Sequence, residues 1–105
     1  MTACDMTTNQ TIMTLLQTDL EKHNVTAPQQ KFLEALIESA KTEIEREGIT
    51  LDYSAVDDLL TVSMYAAYLY RRRAVADNGM PRMLRLRLNN RLLQQKMEDP
   101  YVSAL

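Results

Sequence analysis

The stretch from Ser54 to Gly79, SAVDDLLTVSMYAAYLYRRRAVADNG, decides the fold. Val56, Leu59, Leu60, Ser63, Ala67, Tyr70 and Ala74 recur at helical spacing, and Val62, Ala66 and Leu69 form a second apolar stripe. A helix that is apolar on two sides is enclosed by its neighbours, so this segment is read as the spine of a helical domain. Ser54 and Asp57 have the spacing of a capping box, and Asp57 and Asp58 suit the positive end of a helix. Asn78 and Gly79 predict a stop near Asp77.

Three more helices flank this spine. Upstream, Ile12, Met13, Leu15, Leu16 and Leu20 share a stripe, which predicts a helix from about Asn9 to Asn24. Thr26, Ala27 and Pro28 signal a second start, because proline at the first helical position has no N–H to leave unpaired. Phe32, Leu33, Leu36, Ile37, Ala40 and Ile44 carry that helix to Gly48, where a left-handed glycine lets Ile49 reach back to Ile44. Downstream, Pro81 opens a fourth helix that runs to about Met97. Leu84, Leu88 and Leu92 lie on one of its stripes, with Met83, Leu86, Leu93 and Met97 roughly opposite. The period-two alternation of Leu84 to Leu88 also suits a strand, but no hairpin partner lies nearby. The expected architecture is all-α: one domain of about four helices, with residues 1–8 and 98–105 as flexible arms. Leu36, Ile37, Leu59, Leu60 and Ala67 are its expected core.

Composition points the same way. The chain has 105 residues, of which only two are Gly and three Pro, which disfavours turn-rich β folds. Leu, Ala and Met number 32 against nine for Val and Ile, a balance that suits helices. A single Cys4 rules out an internal disulfide, and with one His23 the usual zinc spacings are missing. No basic stretch followed by an apolar one opens the chain, so no secretory signal is expected. Leu59 to Tyr70, the longest weakly charged stretch, is too short to span a bilayer.

The net charge of −2 hides a split: residues 1–60 carry 4 basic and 11 acidic groups, and residues 61–105 carry 8 basic and 3 acidic. Such asymmetry points to nucleic acid, a membrane surface or an oppositely charged partner, including a second copy. No phosphate-binding glycine loop, metal-ligand spacing or nucleophile with a base is found, so no catalysis, metal or cofactor is expected. His23 reads as a helix-end cation, Cys4 as incidental, and Asp57 and Asp58 as helix-start electrostatics. Tyr65, Tyr68 and Tyr70 beside Arg71, Arg72 and Arg73 could stack on bases, but packing is the simpler role. The three arginines span nearly a full turn and cannot share one solvent face.

Tyr65 to Arg73 (YAAYLYRRR), Met80 to Leu84 (MPRML) and Leu88 to Leu92 (LNNRL) together resemble the head-to-tail connector, or adaptor, proteins of long-tailed bacteriophages. Looser likeness through Glu45 to Ile49 extends the resemblance over residues 12–97. It implies a helical virion protein at the neck, in a ring of commonly about twelve copies beneath the portal, which extends the DNA channel after packaging. The implied partners are further copies, the portal and the next neck component, with transient contact to packaged DNA. Neither a membrane nor a small-molecule substrate is implied. The assembly surface is expected to include Arg71, Arg72, Arg73, Met80, Pro81, Arg82, Met83, Arg85, Arg87 and Arg91, with most of the cations meeting carboxylates of a neighbouring subunit. Charge reversal at Arg85 and Arg91 is expected to impair assembly and leave the subunit folded. The alternative is a small helical DNA-binding or regulatory module that uses the cations after Tyr70 on phosphates.

Overall fold

The structure, a computed structural model, describes residues 6–22, 24–72 and 79–98. Four helices account for most of them: α1 (Met6–Leu20), α2 (Ala27–Arg46), α3 (Val56–Arg72) and α4 (Arg82–Glu98). No strand occurs among the described residues, so Leu84 to Leu88 are helical. The first helix starts at Met6, which takes residues 6–8 out of the expected arm; residues 1–5 and 99–105 lie outside the described residues. So do Cys4, His23, Arg73, Ala74 and the expected stop near Asp77.

α1 ends with its apolar stripe at Leu20, four residues before the stop expected near Asn24. The Glu21 N–H bonds the Thr18 carbonyl at 3.1 Å and the Lys22 N–H bonds the Gln17 carbonyl at 2.9 Å, with Glu21 left-handed at φ 58°. That is a Schellman ending built on a glutamate instead of a glycine.

α2 starts on Thr26, whose Oγ1 accepts from the Gln29 N–H at 3.3 Å while Gln29 Oε1 accepts from the Thr26 N–H at 3.0 Å. This reciprocal box satisfies two of the donors a helix start leaves open. Gly48 takes φ 100°, as its place after α2 requires, and a side chain there would also approach Leu92 Cδ1. The box expected at Ser54 does not form. Ser54 donates instead through its N–H and its hydroxyl to Asp52 Oδ1, at 3.0 and 2.6 Å, and the Ala55 carbonyl accepts the first α3 bonds.

α3 is the central element and packs against α1 and α2 along its length. Its Leu59, Val62, Tyr65, Ala66 and Ala67 join Ile12 and Leu16 of α1, Leu33, Ile37, Ala40 and Ile44 of α2, and Ile49 and Leu51 of the link. α4 adds Leu84 and Leu88 to this core. Leu36 and Leu60, expected inside, are half-buried, and Val56, placed on the inner stripe by periodicity, is 72% exposed at the helix start. Lys41 is buried between helices, its ammonium donating to Asn9 Oδ1 at 2.9 Å and Glu38 Oε2 at 3.1 Å. It also lies 5.4 Å from the centre of the Tyr53 ring, so the charge is held from several sides.

Candidate functional site

The residues assigned to an assembly surface fall into two places. Arg71 and Arg72 are exposed at the end of α3. Arg71 Nη2 donates to the Asp19 carbonyl at 3.2 Å and to Asp19 Oδ1 at 3.5 Å, and the Arg72 guanidinium lies 6.0 Å from the Tyr68 ring centre. Met80, Pro81, Arg82 and Met83 lead into α4, and Arg85, Arg87 and Arg91 follow along it. Met80 is half-buried against the core, and the Pro81 carbonyl accepts the first α4 bond from the Arg85 N–H at 3.0 Å. Pro81, Arg82 and Met83 are exposed.

Three arginines of α4 are engaged within the chain. Arg85 makes a fork with Glu47, Nη1 to Oε1 at 2.8 Å and Nη2 to Oε2 at 2.9 Å. That bonding, desolvation notwithstanding, holds the Arg85 proton more tightly than usual. Arg87 Nε donates to Thr61 Oγ1 at 2.7 Å, with its Nη2 3.7 Å from Asp57 Oδ1. Arg91 Nε and Nη2 donate to the two oxygens of Asp58 at 2.9 and 3.1 Å, and Nη2 also reaches the Thr50 carbonyl at 2.9 Å. Asp58 is buried and also accepts from the Asp52 N–H at 2.8 Å. Gln95 extends this clamp, donating to the Gly48 carbonyl at 2.8 Å and accepting from the Thr50 N–H at 2.7 Å.

The carboxylates that sequence reasoning sought on a neighbouring copy are thus, for Arg71, Arg85, Arg87 and Arg91, in the same chain. Asp58 and Glu47 were the missed residues. Asp58 fitted helix-start electrostatics so well that nothing in the sequence marked it as the receptor of a cation 33 residues away.

With its inner face fixed by Leu84, Leu88 and these clamps, α4 turns its other stripe outward. Met83 is 74%, Leu86 48%, Leu93 57% and Met97 67% exposed. At 100° per residue these four and Asn90 fall within one narrow band opposite Leu88. A groove of about 520 Å³ opens at the start of α4, lined by Leu15, Leu60, Met64, Tyr68, Met83 and Leu84, with Arg71 at its rim. Leu86, Leu93 and Met97 were legible as a stripe from their spacing, but nothing in the sequence said which stripe faced the core.

The tyrosines are used in packing. Tyr65 is buried and meets Tyr68 edge-on at 5.8 Å, and burial, with Glu43 and Glu47 nearby, raises its phenol above the usual range. Tyr70 packs at 6.2 Å from Phe32, beneath the Lys22 ammonium. Among the described residues no group of three His, Cys, Asp or Glu could hold a metal ion, and no helix is long and apolar enough to cross a membrane. Comparisons with protein-family models, curated proteins and solved structures returned no match.

Proposed function

We propose that this protein is a structural component of a bacteriophage neck, forming a ring between the portal and the tail or next neck component and extending the DNA channel after genome packaging. The observation that carries this reading is the division of α4 into an anchored inner face and an exposed apolar outer face. A helix with four large apolar side chains in solvent suits binding to protein. The segments that resemble connector proteins, Met80 to Leu84 and Leu88 to Leu92, build this element.

A ring of about twelve copies needs two unlike surfaces that meet head to tail. The convex outer stripe of α4 and the concave groove beside Leu15, Leu60 and Met64 are such a pair. Four of the cations are matched to carboxylates inside the chain, which leaves a channel wall that DNA can pass without being gripped. The same pairing weighs against the DNA-binding alternative, which needs those guanidiniums on phosphates. In this role the protein contacts further copies, the portal and the next neck component, and catalyses nothing.

The test is mass measurement of the full chain with and without portal rings of the same phage. A defined number of copies added per portal ring is the expected result. Failure to add to portal rings, together with absence from DNA-filled heads, would overturn the proposal.

A further inference from the structure

The outer stripe of α4 has an internal order that the ring reading does not use. Met83, Leu86, Asn90, Leu93 and Met97 are spaced 3, 4, 3 and 4 residues apart, the repeat of a helix-to-helix seam. Read from either end, the order is Met, Leu, Asn, Leu, Met. A second α4 laid antiparallel across the first therefore sets Met83 against Met97, Leu86 against Leu93, and Asn90 against its own copy. Asparagine carries a donor and an acceptor in one amide, so two of them at the crossing satisfy each other. A single polar layer of this kind in an apolar seam fixes register.

We infer that the free chain forms a two-fold dimer through antiparallel pairing of α4, with Asn90 on the axis. The surface available fits that occupant. Eight Leu and Met side chains, exposed by half to three quarters, would hide about 500–700 Å² of apolar surface at the seam. Antiparallel alignment also carries Met97 of the second copy past Met83, which borders the apolar groove on one side and the Leu86 and Asn90 surface on the other. The groove is met at both ends of the seam, which brings the whole interface to about 1,200 Å², the lower bound for a specific dimer. An interface at this lower bound belongs with the weak, transient class, for which association at about micromolar concentration is expected. Exposed Arg82 and Lys96 flank the stripe on the same side of α4 and face each other across the pair, so their repulsion sets a sign: added salt strengthens the dimer. A head-to-tail contact held by opposite charges would weaken instead.

A closed two-fold pair hides the apolar face and cannot grow into a ring or filament. Its role as a cap that is shed at the portal rests on the ring reading; the dimer itself does not. Sedimentation of the full chain over about 1 to 100 µM should show a monomer–dimer equilibrium that shifts toward dimer as salt rises. Leu86→Asp with Leu93→Asp should give a monomer with unchanged helical circular dichroism, since both side chains are exposed. In a Cys4→Ser background, Asn90→Cys should cross-link copies through a disulfide. Met83→Cys mixed with Met97→Cys should do so as well, and Met83→Cys alone should not. A monomer at every concentration, a dimer indifferent to the aspartates, a Met83→Cys self-cross-link or a ring-sized mass of the free chain would each overturn the inference. Portal association is scored separately: a dimer that never joins portal rings counts against the ring alone, and a strict monomer that joins them counts against the dimer alone.

Discussion

Replacing Arg91 with alanine removes at once its bonds to both Asp58 oxygens and to the Thr50 carbonyl, and leaves Asp58, with 4% of its side chain exposed, facing the Asp52 N–H. Taking away one partner of a buried ion pair strands the other charge, and the expected loss is about 3 kcal/mol, read from urea unfolding. Arg91→Glu is worse, because it sets a second carboxylate against Asp58. The charge-reversed Arg85 and Arg91 pair therefore reports on folding before it reports on assembly, contrary to what the sequence suggests. Arg85→Ala is milder, about 1 kcal/mol, since its fork with Glu47 is 42% and 27% exposed. Tyr65 gives the pH dependence. Burial first, and the nearby glutamates second, raise its phenol above the usual value. The folded state thus holds that proton more firmly than the unfolded chain. The stability this confers is whole below about pH 10 and fades as pH rises through the folded value. The urea midpoint should fall on this alkaline limb, and it should fall less in Tyr65→Phe.

Among the elements, α1 shows where local pattern stops being informative. Its apolar spacing continues to Leu20 and the chain offers no glycine before Asn24, so nothing marks Glu21 as a left-handed residue. The stop comes from two carbonyls captured by Glu21 and Lys22. Glu21→Gly removes the steric cost of that conformation and should stabilise by about 1 kcal/mol, seen as a rise of about 4 °C or more in Tm. α2 is the opposite case: Thr26, Pro28 and Gly48 each sit where their covalent geometry requires, and both ends were legible. For α3 the double stripe correctly gave a central helix, but periodicity cannot separate an inner position from one at the rim. Leu60 lines the groove at half-burial, while Leu88 of α4 is 0% exposed. Leu88→Ala should therefore cost about 3 kcal/mol and Leu60→Ala about 1, measured side by side in urea.

At the scale of the molecule, the charge split between the two halves of the chain is in part an internal match, which takes up four of the eight cations of the basic half. Each cation of the Arg71–Asp19, Arg85–Glu47, Arg87–Asp57 and Arg91–Asp58 pairs comes from the basic half, and each carboxylate from the acidic one. Composition can reveal the imbalance but not that the fold closes part of it, because the partners lie 30 to 52 residues apart and meet only when α1 packs on α3, for Arg71, or when α4 docks, for the other three. The surface left over is the apolar outer stripe of α4, which the sequence showed as a pattern without a direction. This way of docking has a dynamic consequence. α1, α2 and α3 share a continuous apolar core, whereas α4 enters it through Leu84 and Leu88, with Leu92 half-buried against it, and otherwise holds on by the polar bonds of Arg85, Arg87, Arg91 and Gln95. An element that adds few apolar side chains to the core and holds on by polar contacts, some of them partly exposed, opens at lower free energy than the core it covers. Native-state hydrogen exchange on the full chain, at concentrations where it is monomeric, should show α4 amides exchanging through a partial opening while α2 and α3 amides wait for global unfolding. Salt screens the exposed Arg85 and Arg87 pairs far more than it affects the apolar core. Raising sodium chloride to about 0.5 M should therefore speed exchange along α4 and leave the slowest α3 amides nearly unchanged. Equal protection in α3 and α4 at both salt levels would mean that the four helices unfold as one unit.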